Sequence, residues 1–173
     1  MNIDVLREKV QEKVRENPSV HARALADELG MSEADVVACF PETMRVEVPA
    51  KEFESLWKEM TTWEKVTFIS CNEGAVVEVS GRLPKGRFGH GFFNLMERGN
   101  PLKGHLFVDR LGSIWLVSKP FFNMESYSVQ FFDTQGQAMF SVYLGRDEKR
   151  RILGSVLERF LVLRGQYASE VAA

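Results

Sequence analysis

Apolar residues at Ile3, Leu6, Val10 and Val14 recur at three- and four-residue spacing and place one stripe along a helix. Asn17-Pro18 stops that helix. Ser19 is placed to cap a second helix running through Leu29, which Gly30 closes. Ser32 opens a third over SEADVVACF, with first-turn acids that suit the helix dipole, and Pro41 ends it. TMRVEVP reads as a strand and AKEFESLWKEM as a further amphipathic helix. From Glu64 the period shortens. EKVTFISC and AVVEVS are strand-like runs about the hairpin signal NEG. HGFFNLM, GHLFVD, SIWLVSK, SYSVQFF and AMFSVYL follow, most of them separated by glycine, proline or an Asp-Thr-Gln-Gly turn. Strands in such close succession, without helices between them, predict an antiparallel sheet. After Gly145 the pattern returns to a helix, with Ile152, Val156, Leu157, Phe160 and Leu163 on one face. The fold class is α+β. A small helical unit like a helix-turn-helix spans residues 1–42. A large antiparallel sheet with flanking helices and a C-terminal helix spans 43–173, and the two are expected to form one compact unit.

The helix-turn-helix pattern, LADELGMSEADVV, raises the question of DNA. A recognition helix needs Arg, Lys, Asn or Gln for phosphates and base edges. Residues 32–43 hold no basic residue, while Glu33, Asp35 and Glu42 are acidic. A helical packing unit is therefore expected, with a DNA-binding regulator as the alternative. Composition agrees: the formal net charge is −2, without the basic surplus of a nucleic-acid or anionic-membrane binder. Hydrophobic residues make up 45% of the 173, enough for a buried core. No apolar run approaches the ~20 residues of a membrane span, and the first residues are too charged for a secretory signal. Cys39 and Cys71 have no metal-site spacing, so a cytoplasmic protein with free thiols is expected.

Catalytic motifs are scarce. Walker and Rossmann glycine loops, H-E-x-x-H, C-x-x-C and a nucleophile elbow are absent. The acids Asp147 and Glu148 sit at an expected helix start, where capping explains them. Cys39 falls on an apolar helix face, whereas Cys71 ends a strand.

Chemistry concentrates in GRFGHGFFNLMERGNPLKGHLF, residues 86–107. HGFFNLM and GHLFVD are expected to pair as a hairpin. Strand alternation would put His90, Phe92 and Asn94 on one face, Phe93 and Leu95 on the other, and His105 with Phe107 on a shared face. An imidazole ringed by aromatics suits a flat, apolar, iron-bearing ligand such as haem. Arg82, Lys85, Arg87 and Lys103 would supply a rim for its propionates. A hydrogen-bonded histidine beside a phenylalanine-rich core is the alternative reading of the same residues.

Over nearly its whole length the chain resembles the haem-utilisation carrier family HutX/ChuX. LADELGMSEADVVACFPE, GHGFFNLMERGNPLKGHL and LVSKPFFNMESYSVQFFDTQGQAMFSVYLGRDEKR carry the resemblance, the last most specifically. The resemblance implies a cytoplasmic, homodimeric carrier or storage protein that binds haem as cargo and delivers it to a haem-degrading enzyme. The two sheets of such a dimer would mimic one larger tandem-repeat haem protein. An enzyme acting on haem or on a linear tetrapyrrole is the alternative. Neither nucleic acid nor membrane is implied as a partner. His105 is the first axial-ligand candidate, with Cys71 and His90 as further donors. Phe68, Phe92, Phe93 and Met96 would wall the porphyrin, and Arg87 and Lys103 would meet propionates. Some family members carry a tyrosine where this chain has Phe92, which has no donor atom.

Overall fold

A computed structural model describes residues 3–171, so residues 1–2 and 172–173 of the two expected units lie outside the described residues. Helix α1 (Ile3–Glu16) turns Val10 and Val14 inward. Helix α2 (Ala22–Leu29) ends at Gly30, whose φ of +63° is the left-handed conformation that glycine adopts without a Cβ clash. Ser19 does not cap α2. His21 is its N-cap and contributes no side-chain hydrogen bond. Ser19 Oγ instead accepts the Asn123 backbone N–H at 2.9 Å, tying the chain before α2 to a distant hairpin tip. Ser32 does cap α3 (Glu33–Cys39), accepting the Asp35 N–H at 3.2 Å.

The strands are β1 (Arg45–Val48), β2 (Val66–Cys71), β3 (Val76–Gly81), β4 (Gly86–Gly89), β5 (Phe92–Leu95), β6 (Gly104–Leu106), β7 (Leu111–Ser118), β8 (Tyr127–Asp133) and β9 (Ala138–Leu144). Between β1 and β2, α4 (Phe53–Met60) buries Phe53, Leu56, Trp57 and Met60, one face at helical spacing. All pairings are antiparallel, as expected, but the strands divide into two sheets. One has six strands in the order β1-β7-β8-β9-β2-β3; the other has the order β4-β5-β6.

The two faces of the large sheet are covered differently. Val46, Val48, Phe68, Ile114, Leu116, Val129, Phe131, Phe140 and Val142 share the main core with α4, the small sheet and the C-terminal helix α5 (Gly154–Val171). Phe53 links these layers, with ring contacts to Phe93 of the small sheet and Phe131 of the large one. The opposite face offers Trp115, Val117 and Phe132 to α1–α3, through Val10, Val14, Leu25, Val36, Val37 and Phe40. The helical unit thus shares an apolar cluster with β7 and β8.

Helix α5 starts later than the apolar spacing suggests. Asp147 Oδ1 accepts the N–H groups of Lys149 at 2.8 Å and Arg151 at 2.9 Å, which holds RDEKRR as a loop. Ile152 bridges to Arg146 before the helix begins, so it is not on the face of α5 that carries Val156, Phe160 and Leu163.

Candidate functional site

The small sheet presents an outward face built by strand alternation. Asn94 lies opposite His105 and Arg87, and Phe92 opposite Gly89. Phe92 contacts the His105 ring at 5.4 Å and Phe107 at 5.3 Å, and the Arg110 guanidinium stands 5.3 Å from the Phe107 ring. Asn94 is buried and orients the imidazole. Its Nδ2 donates to the carbonyls of Gly89 at 2.9 Å and of Arg87 and Phe92 at 3.3 Å. The amide oxygen is therefore left to face His105 Nδ1 at 2.6 Å, so Nδ1 carries the proton. In the neutral ring, Nε2 then holds a free lone pair.

His90 does not share this face. With Gly91 it forms the two-residue β4–β5 turn, at φ +53° and +82°, the positive values that tight hairpins demand. Phe93 points the other way and is 1% exposed. Its ring would meet a Cβ at Gly86 at 2.2 Å, so β4 needs glycine there. Phe68 is also in the main core, stacked on Phe140 at 5.3 Å. Met96 and Lys103 are exposed just beyond the paired strands. Arg82 donates to the Thr61 carbonyl, and the Lys85 N–H to Glu97. Cys71 lies across the large sheet, on the face opposite Phe68. The structure therefore gathers Arg87, Phe92 and His105, and leaves His90, Phe68, Phe93 and Cys71 elsewhere. The His105 face does not border the large cleft on the other side of the big sheet.

A cleft of about 710 Å³ opens on the other side of the large sheet. The helical unit covers β7 and part of β8 there and leaves β9, β2 and β3 open. Ile69, Phe132 and Met139 supply apolar lining, and Ser128, Gln130, Ser141 and Tyr143 alternate with them. Burial pushes the Tyr143 phenol up, against a hydrogen bond from Ser128 that lowers it. At one mouth His21 meets Phe121 in a tilted ring contact at 4.8 Å and Phe122 edge-on at 5.4 Å, while Phe121 also contacts Tyr143. Towards β3, the guanidinium of Arg23 stands 3.4 Å from the Cys71 sulfur. Glu33 also lines the cleft, its carboxyl pushed up by burial and partly restored by Arg23.

Lys119 occupies the closed end. Its ammonium donates to the Val20 carbonyl at 2.5 Å and stands 5.6 Å from the Phe40 ring. Among the described residues no carboxylate is within ion-pair distance of it. Burial alone lowers its pKa to about 8. The cleft thus combines an imidazole, a thiol, two cations, the carboxylates of Asp27, Glu33, Glu73 and Glu78, and a floor of mixed apolar and polar side chains. Cysteine 39, by contrast, is buried in the helical cluster, its thiol pushed up by burial.

Sequence reading missed His21, Arg23, Lys119 and Tyr143. The available signal was the alternation in SYSVQFF and AMFSVYL, whose small polar positions read as a solvent-facing strand side. Only the arrival of α2 over that side turns it into a wall.

A family model described as haem utilisation ChuX/HutX matches residues 46–163. The intracellular haem transport protein HutX of Vibrio cholerae is 34% identical over 165 residues, covering 95% of this chain and 86% of HutX. The hemin transport protein HmuS of Yersinia pestis is 29% identical over 94% of this chain but only 46% of HmuS, so the chain spans just under half of that relative. The solved structure of the haem-binding protein ChuX superposes with a TM-score of 0.83 at 29% identity, covering 91% of this chain and 97% of ChuX.

Two outcomes test this geometry. Long-range ¹H–¹⁵N spectra at neutral pH should show His105 protonated at Nδ1, and Asn94→Ala should return the ring to a mixture dominated by the Nε2–H form. An unchanged tautomer in the variant would contradict the role of Asn94. Lys119 makes stability depend on pH. Between about 8 and the ordinary 10.5 the unfolded chain binds the extra proton, so this group favours folding increasingly as pH rises through that window. Denaturant titrations should therefore show wild type gaining stability relative to Lys119→Met between pH 8 and 10.5. A constant difference would contradict the buried, unpaired ammonium.

Proposed function

The chain belongs to the haem utilisation ChuX/HutX family, and from that premise we propose that it carries haem as cargo inside the cell. It acts as a homodimer, hands the haem to a haem-degrading enzyme, and does not itself transform it. The names of HutX and ChuX, a transport and a binding protein, support a carrier over an enzyme. Among the described residues no helix is long and apolar enough to cross a membrane.

The cleft carries the reading. Its volume falls within the ~300–1,000 Å³ of small-molecule and cofactor sites. Ile69, Phe132 and Met139 on its floor would accept the macrocycle, and Lys119 at the closed end and Arg23 towards β3 would accept propionates. Lys119 lacks a carboxylate of its own, so a propionate would supply the missing counter-charge. His21 offers an axial nitrogen at the mouth. Cys71 offers sulfur, and its neighbour Arg23 would neutralise a ligating thiolate. An open mouth with one axial bond suits a carrier, which must release what it binds.

The outward face of the small sheet supports a second reading. There the Asn94 hydrogen bond leaves His105 Nε2 free to ligate, and Phe92 and Phe107 stand beside it. This face is flat and exposed, and it encloses less of a planar ligand than the cleft does.

Titration of ferric haem into His21→Ala, Lys119→Met and His105→Ala separates the two. The cleft predicts a saturable Soret band in wild type that shifts in His21→Ala, with affinity about tenfold weaker, a ~1.4 kcal/mol loss. Lys119→Met should weaken binding without moving the band, and His105→Ala should do neither. Loss of the band in His105→Ala alone would move the haem to the small sheet. Added reductant should leave the Soret band intact; bleaching with release of iron would restore the enzyme alternative.

A further inference from the structure

The β7–β8 hairpin runs on past the sheet. Beyond Ser118 the Lys119 N–H donates to the Ser126 carbonyl at 3.1 Å, and Phe121 and Met124 exchange backbone bonds at 2.9 and 3.0 Å. From Glu125 onward the returning strand is anchored. Arg146 donates to the Glu125 carbonyl, and the Tyr127 hydroxyl to its carboxylate. The tip, residues 120–124, turns through Phe122 and Asn123, at φ +48° and +58°. Asparagine tolerates that conformation, whereas a bulky ring is strained in it. Phe122 is 71% exposed, so burial does not offset the strain. Strain of this kind gathers at ligand clamps and switches.

The tip lies against the residues that lead into α2. Ser19 Oγ accepts the Asn123 N–H at 2.9 Å, the Val20 carbonyl accepts from Lys119, and the His21 ring meets Phe121 and Phe122. Phe121 also reaches the Tyr143 ring on β9 at 5.9 Å, so it bridges the helical unit and the cleft floor. An axial bond sets an imidazole upright on the macrocycle plane. A macrocycle ligated by His21 and resting on the floor therefore needs space that Phe121 now fills.

We infer that the 120–124 tip is a latch on His21, closed in this structure, which must swing away before the imidazole can ligate iron. This rests on the cleft reading proposed above and adds its regulation. Uptake then has two steps. The macrocycle first settles through the flank left open over β9, β2 and β3. When the tip lifts, the His21 nitrogen gives its lone pair to ferric iron and displaces a water, and nothing is oxidised or reduced. On delivery the steps reverse, and Phe121 and Phe122 recapture the imidazole as iron leaves. Because only the open form ligates, the closed population lowers the apparent affinity, which suits a protein that gives its cargo up.

Stopped-flow mixing with ferric haem tests the latch through the Soret band. Wild type should show a fast phase that scales with haem concentration and a slow phase that does not. Ser19→Ala removes the hydroxyl that holds Asn123 and should speed the slow phase about fivefold, the worth of one hydrogen bond. Ser19→Thr keeps the hydroxyl and should keep the wild-type rate. Loading with gallium protoporphyrin should accelerate exchange of the Asn123 amide at least about tenfold. The Phe121 and Met124 amides, bonded within the tip, should hold. A single phase in wild type, a slow phase unchanged in Ser19→Ala, or an Asn123 amide still protected in the loaded protein overturns the latch and leaves the cleft standing. Haem bound at the small sheet, with His21→Ala indistinguishable from wild type, overturns the cleft and the latch together.

Discussion

The unequal covering of the six-stranded sheet governs the rest of the molecule. One face is sealed by an aromatic core in which Phe53 joins α4, the small sheet and the large sheet. The other is covered by α1–α3 only over β7 and β8, where Trp115, Val117 and Phe132 supply the contact. The next strand, β9, must then tolerate a polar setting on that face, which is why Ser141 and Tyr143 alternate with buried Phe140 and Val142. Partial cover by a helical unit produces a cleft with a mixed lining.

Lys119 shows how this architecture becomes chemistry. An ammonium half-withdrawn from water costs stability unless it is paired. Here it has a backbone carbonyl and an aromatic face, but no carboxylate. A protein optimised for stability alone would replace it. An anionic group entering the cleft turns the same residue into a binding contribution. Such coupling of a local penalty to ligand uptake suits reversible carriage.

Much of the fold was legible in the sequence because its strands alternate cleanly and its helices carry one apolar stripe. The errors arose where side chains redirect the backbone. Asp147 turns an apparent helix start into a loop, Ser19 serves Asn123 rather than α2, and His90-Gly91 forms a turn inside an apparent strand. The site was less legible. Phe68 and Phe93 alternate as anticipated, but inward, because α4 and not solvent lies behind them. The pairing of His105 with Asn94 follows from register, which no single strand reveals. His21 stands at a helix N-cap among unremarkable neighbours, and only the packing of α2 against the 119–126 hairpin brings it to Phe121 and the cleft.

Where the macrocycle sits decides between this account and its rival most directly. Gallium protoporphyrin is diamagnetic, so amide chemical shifts can report its position on the intact protein. Binding in the cleft predicts the largest ring-current shifts at Ile69, Ser128, Gln130, Ser141 and Tyr143, with β5 and β6 nearly unmoved. Shifts confined to Phe92, Asn94 and His105, with the cleft amides unchanged, would contradict it.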